Sequence, residues 1–159
     1  MSAEMFIKIG DVVGEARGKG HEEEIDVLSW SWGVQQSGSM HVGGGGGAGK
    51  VNVQDLVITK RSDKASPVLM LHSCKGTHIP EALLSVRKAG GKQDDYLTIK
   101  MEKVLVTSVA PGGTENDDGI EQASLNFEKV AYDYTPQKDD GTLDAATSLV
   151  WNVPEASDE

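Results

Sequence analysis

Glu24-Ile25-Asp26-Val27-Leu28-Ser29-Trp30-Ser31-Trp32-Gly33-Val34-Gln35-Gln36 is the stretch on which the fold turns. Leu28, Trp30, Trp32 and Val34 alternate with Ser29, Ser31, Gly33 and Gln35. Successive side chains of a strand point to opposite faces, so this period of two predicts one strand over residues 25–36. Its indole-bearing face reads as core. Its other face is small, polar and uncharged, where an ordinary solvent-facing strand carries Lys, Glu, Arg or Thr. Two readings fit that face: a mildly polar exterior, or a smooth wall against which varied molecules can lie, as inside a pore.

On the N-terminal side, Met5, Ile7 and Ile9 alternate with Phe6, Lys8 and Gly10, which predicts a first strand that stops by Gly14. Residues 15–24 are polar and read as a loop. On the C-terminal side, five consecutive glycines, Gly43 to Gly47, exclude a regular element and predict a long mobile loop. Residues 51–60 form a third predicted strand whose apolar phase slips between Val53 and Leu56, the mark of a bulge. Ser66 as N-cap, Pro67 at the first helical position and Gly76 at a left-handed exit predict one short helix, with Val68, Met70, Leu71 and Cys74 as its apolar stripe. Strands resume over residues 83–87, 96–109, 123–134 and 149–153. Further slips fall between Met101 and Val104 and between Phe127 and Val130. Long, bulged, alternating strands with one helix predict a mainly β fold, an antiparallel β-barrel of curved strands with one short α-helix. Residues 1–154 are expected to form a single domain, and residues 155–159 a disordered acidic tail.

Composition narrows the function classes. The 159 residues suit one domain, and 38% hydrophobic residues suffice for one core. A net charge of −10 repels phosphate backbones and anionic lipid, so neither nucleic acid nor a membrane surface is an expected partner. No apolar run reaches 18 residues, so no insertion into a membrane is expected. A lone Cys74 allows no internal disulfide. The opening residues lack a basic and then apolar leader, so synthesis in the cytoplasm and export without a cleaved signal peptide are expected.

Motifs for chemistry are weak. Gly44-Gly45-Gly46-Gly47-Ala48-Gly49-Lys50-Val51 approaches a phosphate-binding loop, but Val51 stands where a magnesium-binding Ser or Thr belongs, and a strand follows instead of a helix. His72, Cys74 and His78 are too few and too divergent for a metal site. Glu22-Glu23-Glu24, Asp94-Asp95, Asp117-Asp118 and Asp139-Asp140 are runs in polar segments, which read as solvated surface. No catalytic residue, metal ligand set or cofactor is expected, and the chain reads as a non-enzyme. A small-molecule- or carbohydrate-binding β-barrel module, with Trp30 or Trp32 as a stacking platform, is the alternative.

The stretch from Glu24 to Gly33, followed by Ser37-Gly38-Ser39-Met40-His41, the glycine run and Lys50-Val51-Asn52-Val53-Gln54-Asp55-Leu56, resembles the haemolysin-coregulated protein (Hcp) family. Met5-Phe6-Ile7-Lys8-Ile9-Gly10-Asp11-Val12 and Arg87-Lys88-Ala89-Gly90-Gly91 share the resemblance, which spans essentially the whole chain. It implies a structural subunit of the type VI secretion tube. Hexameric rings would stack into a tube, hold small secreted effectors in the lumen, and meet sheath, spike and baseplate proteins. By the same resemblance, Ser29, Ser31, Gly33 and Gln35 are the lumen candidates. Gly38, Ser39, Met40, His41, Gly43, Gly44, Gly45, Gly46, Gly47 and Lys50 are the candidates for contacts between stacked rings.

Overall fold

A computed structural model describes residues 2–38, 50–90 and 94–159, except the Asp118 side chain. Its elements run β1 (Ala3–Ile9), β2 (Ile25–Asp26), β3 (Ser29–Ser31), β4 (Val34–Gln36), β5 (Val51–Val53), β6 (Leu56–Arg61), α1 (Ala65–Lys75), β7 (His78–Lys88), β8 (Asp95–Thr114), β9 (Asp117–Asn126), β10 (Lys129–Tyr134) and β11 (Thr147–Asn152). All pairings are antiparallel, and the main sheet runs β2-β1-β7-β8-β9-β6-β3, with β10 and β11 branching from β8. The architecture is the mainly β, one-helix fold that the alternation predicts.

The opening stretch is where the sheet nearly closes. Residues 25–36 are three short strands, not the one strand the alternation predicts. Phe6 and Ile7 of β1 pair with Asp26 and Ile25, whereas β3 pairs with β6 at the opposite end of the sheet. Between them, the Val27 amide donates to Met5 O at 2.9 Å and the Leu28 amide to Thr59 O at 2.7 Å. One segment thus stitches both free edges, two residues of β1 and three of β6, and the ladder stays open at residues 27–28. Closing a twisted sheet requires such a stagger. The step also shifts phase: Ile25 and Val27 are buried, then Trp30 and Trp32 turn inward and stay half-buried.

β8 explains the other slips. Its twenty residues pair with β10 over residues 97–102 and with β9 over residues 105–114. Residues 123–134, read as one strand, therefore break at Phe127 and Glu128 and lie end to end along β8. At the changeover Lys103 has φ +52°, and the inward set passes from Leu97, Ile99 and Met101 to Val104 and Val106. Likewise residues 51–60 split, β5 pairing with β4 in a separate two-stranded ribbon.

The helix corrects two expectations. It begins one residue before Ser66, with Lys64 as a cap that makes no side-chain bond. Instead Asp63 Oδ1 accepts the Ala65 amide at 3.0 Å, and Glu15 Oε2 accepts the Lys64 amide at 2.8 Å, satisfying amides the first turn leaves free. The apolar stripe does not face the core: Val68, Met70 and Leu71 are 40–52% exposed, Cys74 is exposed, and Ala65 and Leu69 make the buried contact. Gly76 takes the expected left-handed exit at φ +63°. Gly10 is required by both conformation and space: φ is +53°, and a Cβ there would lie 2.6 Å from Ile79 Cγ2. After β11 the chain turns, and Asn152 and Ser157 exchange backbone hydrogen bonds.

Candidate functional site

The register of four strands assembles one outward face. Ser29 lies opposite Thr59, Thr59 opposite Gln122 and Gln122 opposite Ala110. The neighbouring outward row runs Ser31, Val57, Ser124 and Ser108. Between them the inward row is Trp30, Ile58, Ala123 and Val109. Eight outward positions therefore carry no charge, and all are exposed or half-buried.

Hydroxyls on this face are linked. Ser108 Oγ and Ser124 Oγ are 2.6 Å apart, and Ser124 Oγ and Thr107 Oγ1 2.7 Å. Thr107 Oγ1 donates to Asp55 Oδ2 at 2.8 Å, and Asn126 Nδ2 donates to Asp55 Oδ1 at 2.9 Å. A register shift between Val106 and Ser108 sets Thr107 and Ser108 both opposite Ser124, so one β-bulge turns two consecutive side chains outward.

The residues singled out from the sequence are only partly brought together. Ser29 and Ser31 share the outward face of β3. Gly33 lies past its end, its carbonyl accepting the Gln54 amide at 3.0 Å. Gln35 faces Asn52 on the β4–β5 ribbon, a different sheet. The single strand face read over Ser29, Ser31, Gly33 and Gln35 is therefore divided. Gly38 has φ +60° and Lys50 is exposed. Ser39, Met40, His41, Gly43, Gly44, Gly45, Gly46 and Gly47 lie outside the described residues.

The sequence reading missed Val57, Thr59, Ser108, Ala110, Gln122 and Ser124, although each sits at the outward phase of its strand. The same test for uncharged alternation would have marked them, but their assembly into one face is set by pairing. Also missed was a buried ionic cluster beneath the start of α1. Lys60 Nζ shares its three N–H groups among Glu121 Oε1 at 2.7 Å, Asp63 Oδ1 at 2.9 Å, Arg61 O at 2.9 Å and Ser66 Oγ at 3.1 Å. Ser66 Oγ also bonds Glu121 Oε1, and Glu121 Oε2 has no partner. The signal was present, since Lys60 continues the inward phase of Leu56 and Ile58, and Glu121 that of Ala123 and Leu125.

Other arrangements offer less chemistry. The Trp32 ring lies 6.0 Å from Tyr132 and 6.3 Å from Phe127, and its Nε1 donates to Gln54 O at 2.8 Å. Both indoles are half-buried and packed on one side against the core. Among the described residues no three His, Cys, Asp or Glu side chains converge as metal ligands.

Comparison with known proteins follows the same lines. The family described as type VI secretion system effector, Hcp, matches residues 6–134. "Protein hcp1" of Pseudomonas aeruginosa is 56% identical over 156 residues, covering 96% of each chain. A solved structure described as a type six secretion system protein superposes with TM-score 0.92 at 25% identity, covering 99% of this chain and 100% of that one. Hcp1 from Salmonella typhimurium superposes with TM-score 0.83 at 30% identity over the whole of both chains.

Proposed function

From the premise that the chain belongs to the type VI secretion Hcp family, we propose that it closes into hexameric rings that stack as a secretion tube, with the uncharged face turned to the lumen. The observation that carries this reading is the continuity of that face over four strands, from Ser29 and Ser31 to Ser108 and Ala110. A charged wall would hold fixed counter-ions and reject like-charged cargo. Short hydroxyl and methyl groups let folded polypeptides of differing charge lie against it.

Self-association fits the rest of the surface. A closed ring needs two dissimilar patches on each subunit. Val68, Met70 and Leu71 on α1, each about half exposed, offer one apolar patch to a neighbour. The subunit is a structural carrier, made in the cytoplasm and exported with small effectors. Sheath, spike and baseplate proteins are its further partners.

Negative-stain images of the purified protein test the ring: annular particles with an open centre are expected, and lone particles at high concentration would refute it. Retention of a small effector by wild type and Ser31→Gln tests the lumen. Ser31→Gln should form rings and retain less cargo. Equal retention would remove the assignment of this face.

A further inference from the structure

The hydroxyl chain on the uncharged face has a direction. Asp55 Oδ2, 2.8 Å from Thr107 Oγ1, and the Ser124 carbonyl oxygen, 3.1 Å from it, both only accept hydrogen bonds, so the single Thr107 hydroxyl proton goes to one of them, the carboxylate being the nearer. Thr107 Oγ1 can then only accept from Ser124 Oγ at 2.7 Å, and Ser124 Oγ in turn accepts from Ser108 Oγ at 2.6 Å. Each hydroxyl thus donates towards Asp55, and the chain ends in the exposed Ser108 oxygen, which accepts no hydrogen bond within the chain. Hydrogen bonds in such a chain polarise one another in the same sense. Asn126 Nδ2 fixes the other carboxylate oxygen. No ion pair among the described residues includes Asp55, so its charge is held in place by neutral donors and left uncompensated.

We propose that Asp55, with the Thr107–Ser124–Ser108 chain it orients, is an acceptor site of the cargo face that takes donor-rich, cationic segments of a polypeptide: Lys and Arg side chains and free backbone amides. The claim rests on the lumen reading for its setting and goes beyond it in naming the chemistry selected. The half-buried carboxylate supplies a fixed negative charge at one margin of a face neutral over eight positions, while exposed Arg61, in phase with Val57 and Thr59, borders the face further along β6. Cationic groups meet both that charge and the aligned oxygens, whereas carboxylate-rich segments meet acceptors with acceptors. The bulge at residues 106–108 is the device that makes this possible, because a regular strand would turn Thr107 away from Ser108.

The experiment measures anisotropy of a fluorescent Lys-rich dodecapeptide and a Glu-rich counterpart with the full chain, in low salt and in salt that screens exposed charge. Variants are Asp55→Asn, Thr107→Val and, on the opposite face, Asp133→Asn. Wild type should prefer the Lys-rich peptide. Asp55→Asn should weaken it about fivefold, the size of one partly exposed ion pair. Thr107→Val, which keeps the carboxylate but cuts the chain, should weaken it less, and Asp133→Asn should leave it unchanged. Undiminished binding by both Asp55→Asn and Thr107→Val overturns the proposal. So does an equal loss in Asp133→Asn, which would mean that overall negative charge does the binding. Negative stain of the same samples separates the two claims. Rings without an Asp55 effect sink the acceptor site alone. An Asp55 effect without rings supports the acceptor site and sinks the tube reading.

Discussion

Two outer faces of one sheet are built on the same pleat and treat charge in opposite ways. On β3, β6, β9 and the second half of β8, eight central outward positions are Ser, Thr, Val, Ala and Gln, with exposed Arg61 at the end of β6, while the paired charges Lys60 and Glu121 are turned inward and fully buried. On β1, β7, β10 and the first half of β8, the inward rows are apolar and the charges point out. One outward row runs Lys8, Leu83, Lys100 and Ala131, and another Glu81, Glu102 and Lys129. Arg87 there is covered by its surroundings: it pairs with Glu4 at 2.8 Å, donates to Lys19 O at 2.6 Å, and lies 5.0 Å from the Phe6 ring, which stacks on His21. A charge hidden under the neutral face costs desolvation that only complete pairing offsets. The difference teaches that the neutral face is not a by-product of few charges. Over its eight central positions this half of the sheet keeps charge off the outer surface, with Lys60 and Glu121 buried beneath and with half-buried Asp55 and exposed Arg61 at the margins.

The sharpest break removes one hidden partner. Lys60→Met leaves Glu121 buried and unpaired and should destabilise the fold by about 3–5 kcal/mol in urea unfolding. Adding Glu121→Leu should recover most of that loss. If the single variant unfolds at the wild-type midpoint, the inward pair is not what holds this half together. On the charged face the matching cut is milder. Glu4→Ala leaves Arg87 its carbonyl and aromatic contacts, and a loss of about 1–3 kcal/mol is expected. A larger loss than for Lys60→Met would invert the comparison.

Asp26, beside Phe6 on the charged side, gives a smaller and pH-dependent effect. Burial, and then the charge of Asp63, raise its carboxyl above the ordinary value. Ionised Asp26 therefore weighs against the folded state at neutral pH, and the penalty fades as pH falls through the raised value. Asp26→Asn should melt above wild type at pH 7, and the gap should close on acidification. A gap that stays constant with pH would assign the effect to packing. Smallest of all is Glu81→Gln. Its partner Lys100 is 3.8 Å away and both are about half exposed, so the change should stay below about 1 kcal/mol and vanish in salt. A salt-insensitive loss would show that the outward charges are more than a solvated surface.

Much of this was legible along the chain. The alternation in Met5, Ile7 and Ile9, the slip after Met101, and the left-handed exit at Gly76 are local signals, and each appears in the fold at the residues that carry it. The helix stripe was misread because Val68, Met70, Leu71 and Cys74 share hydrophobicity but not the side that packs on β8. Spacing cannot say which of two helix sides meets the sheet. Ser29 and Ser31 were found, yet Asp55, Thr107, Ser108 and Ser124 were not, because they lie in three separate segments and meet only through the β6–β9–β8 register and its bulge.

The order of residues by itself determined strand character, the helix and its exit, the family, and the neutral phase at Ser29 and Ser31, since each depends on neighbours a few positions apart. Tertiary structure alone decided that residues 25–31 stitch two distant edges, that Lys60 meets Glu121, and that eight neutral positions form one face. Those outcomes depend on which strands pair and in what register, and pairing joins residues far apart in sequence through backbone hydrogen bonds that are the same for every side chain.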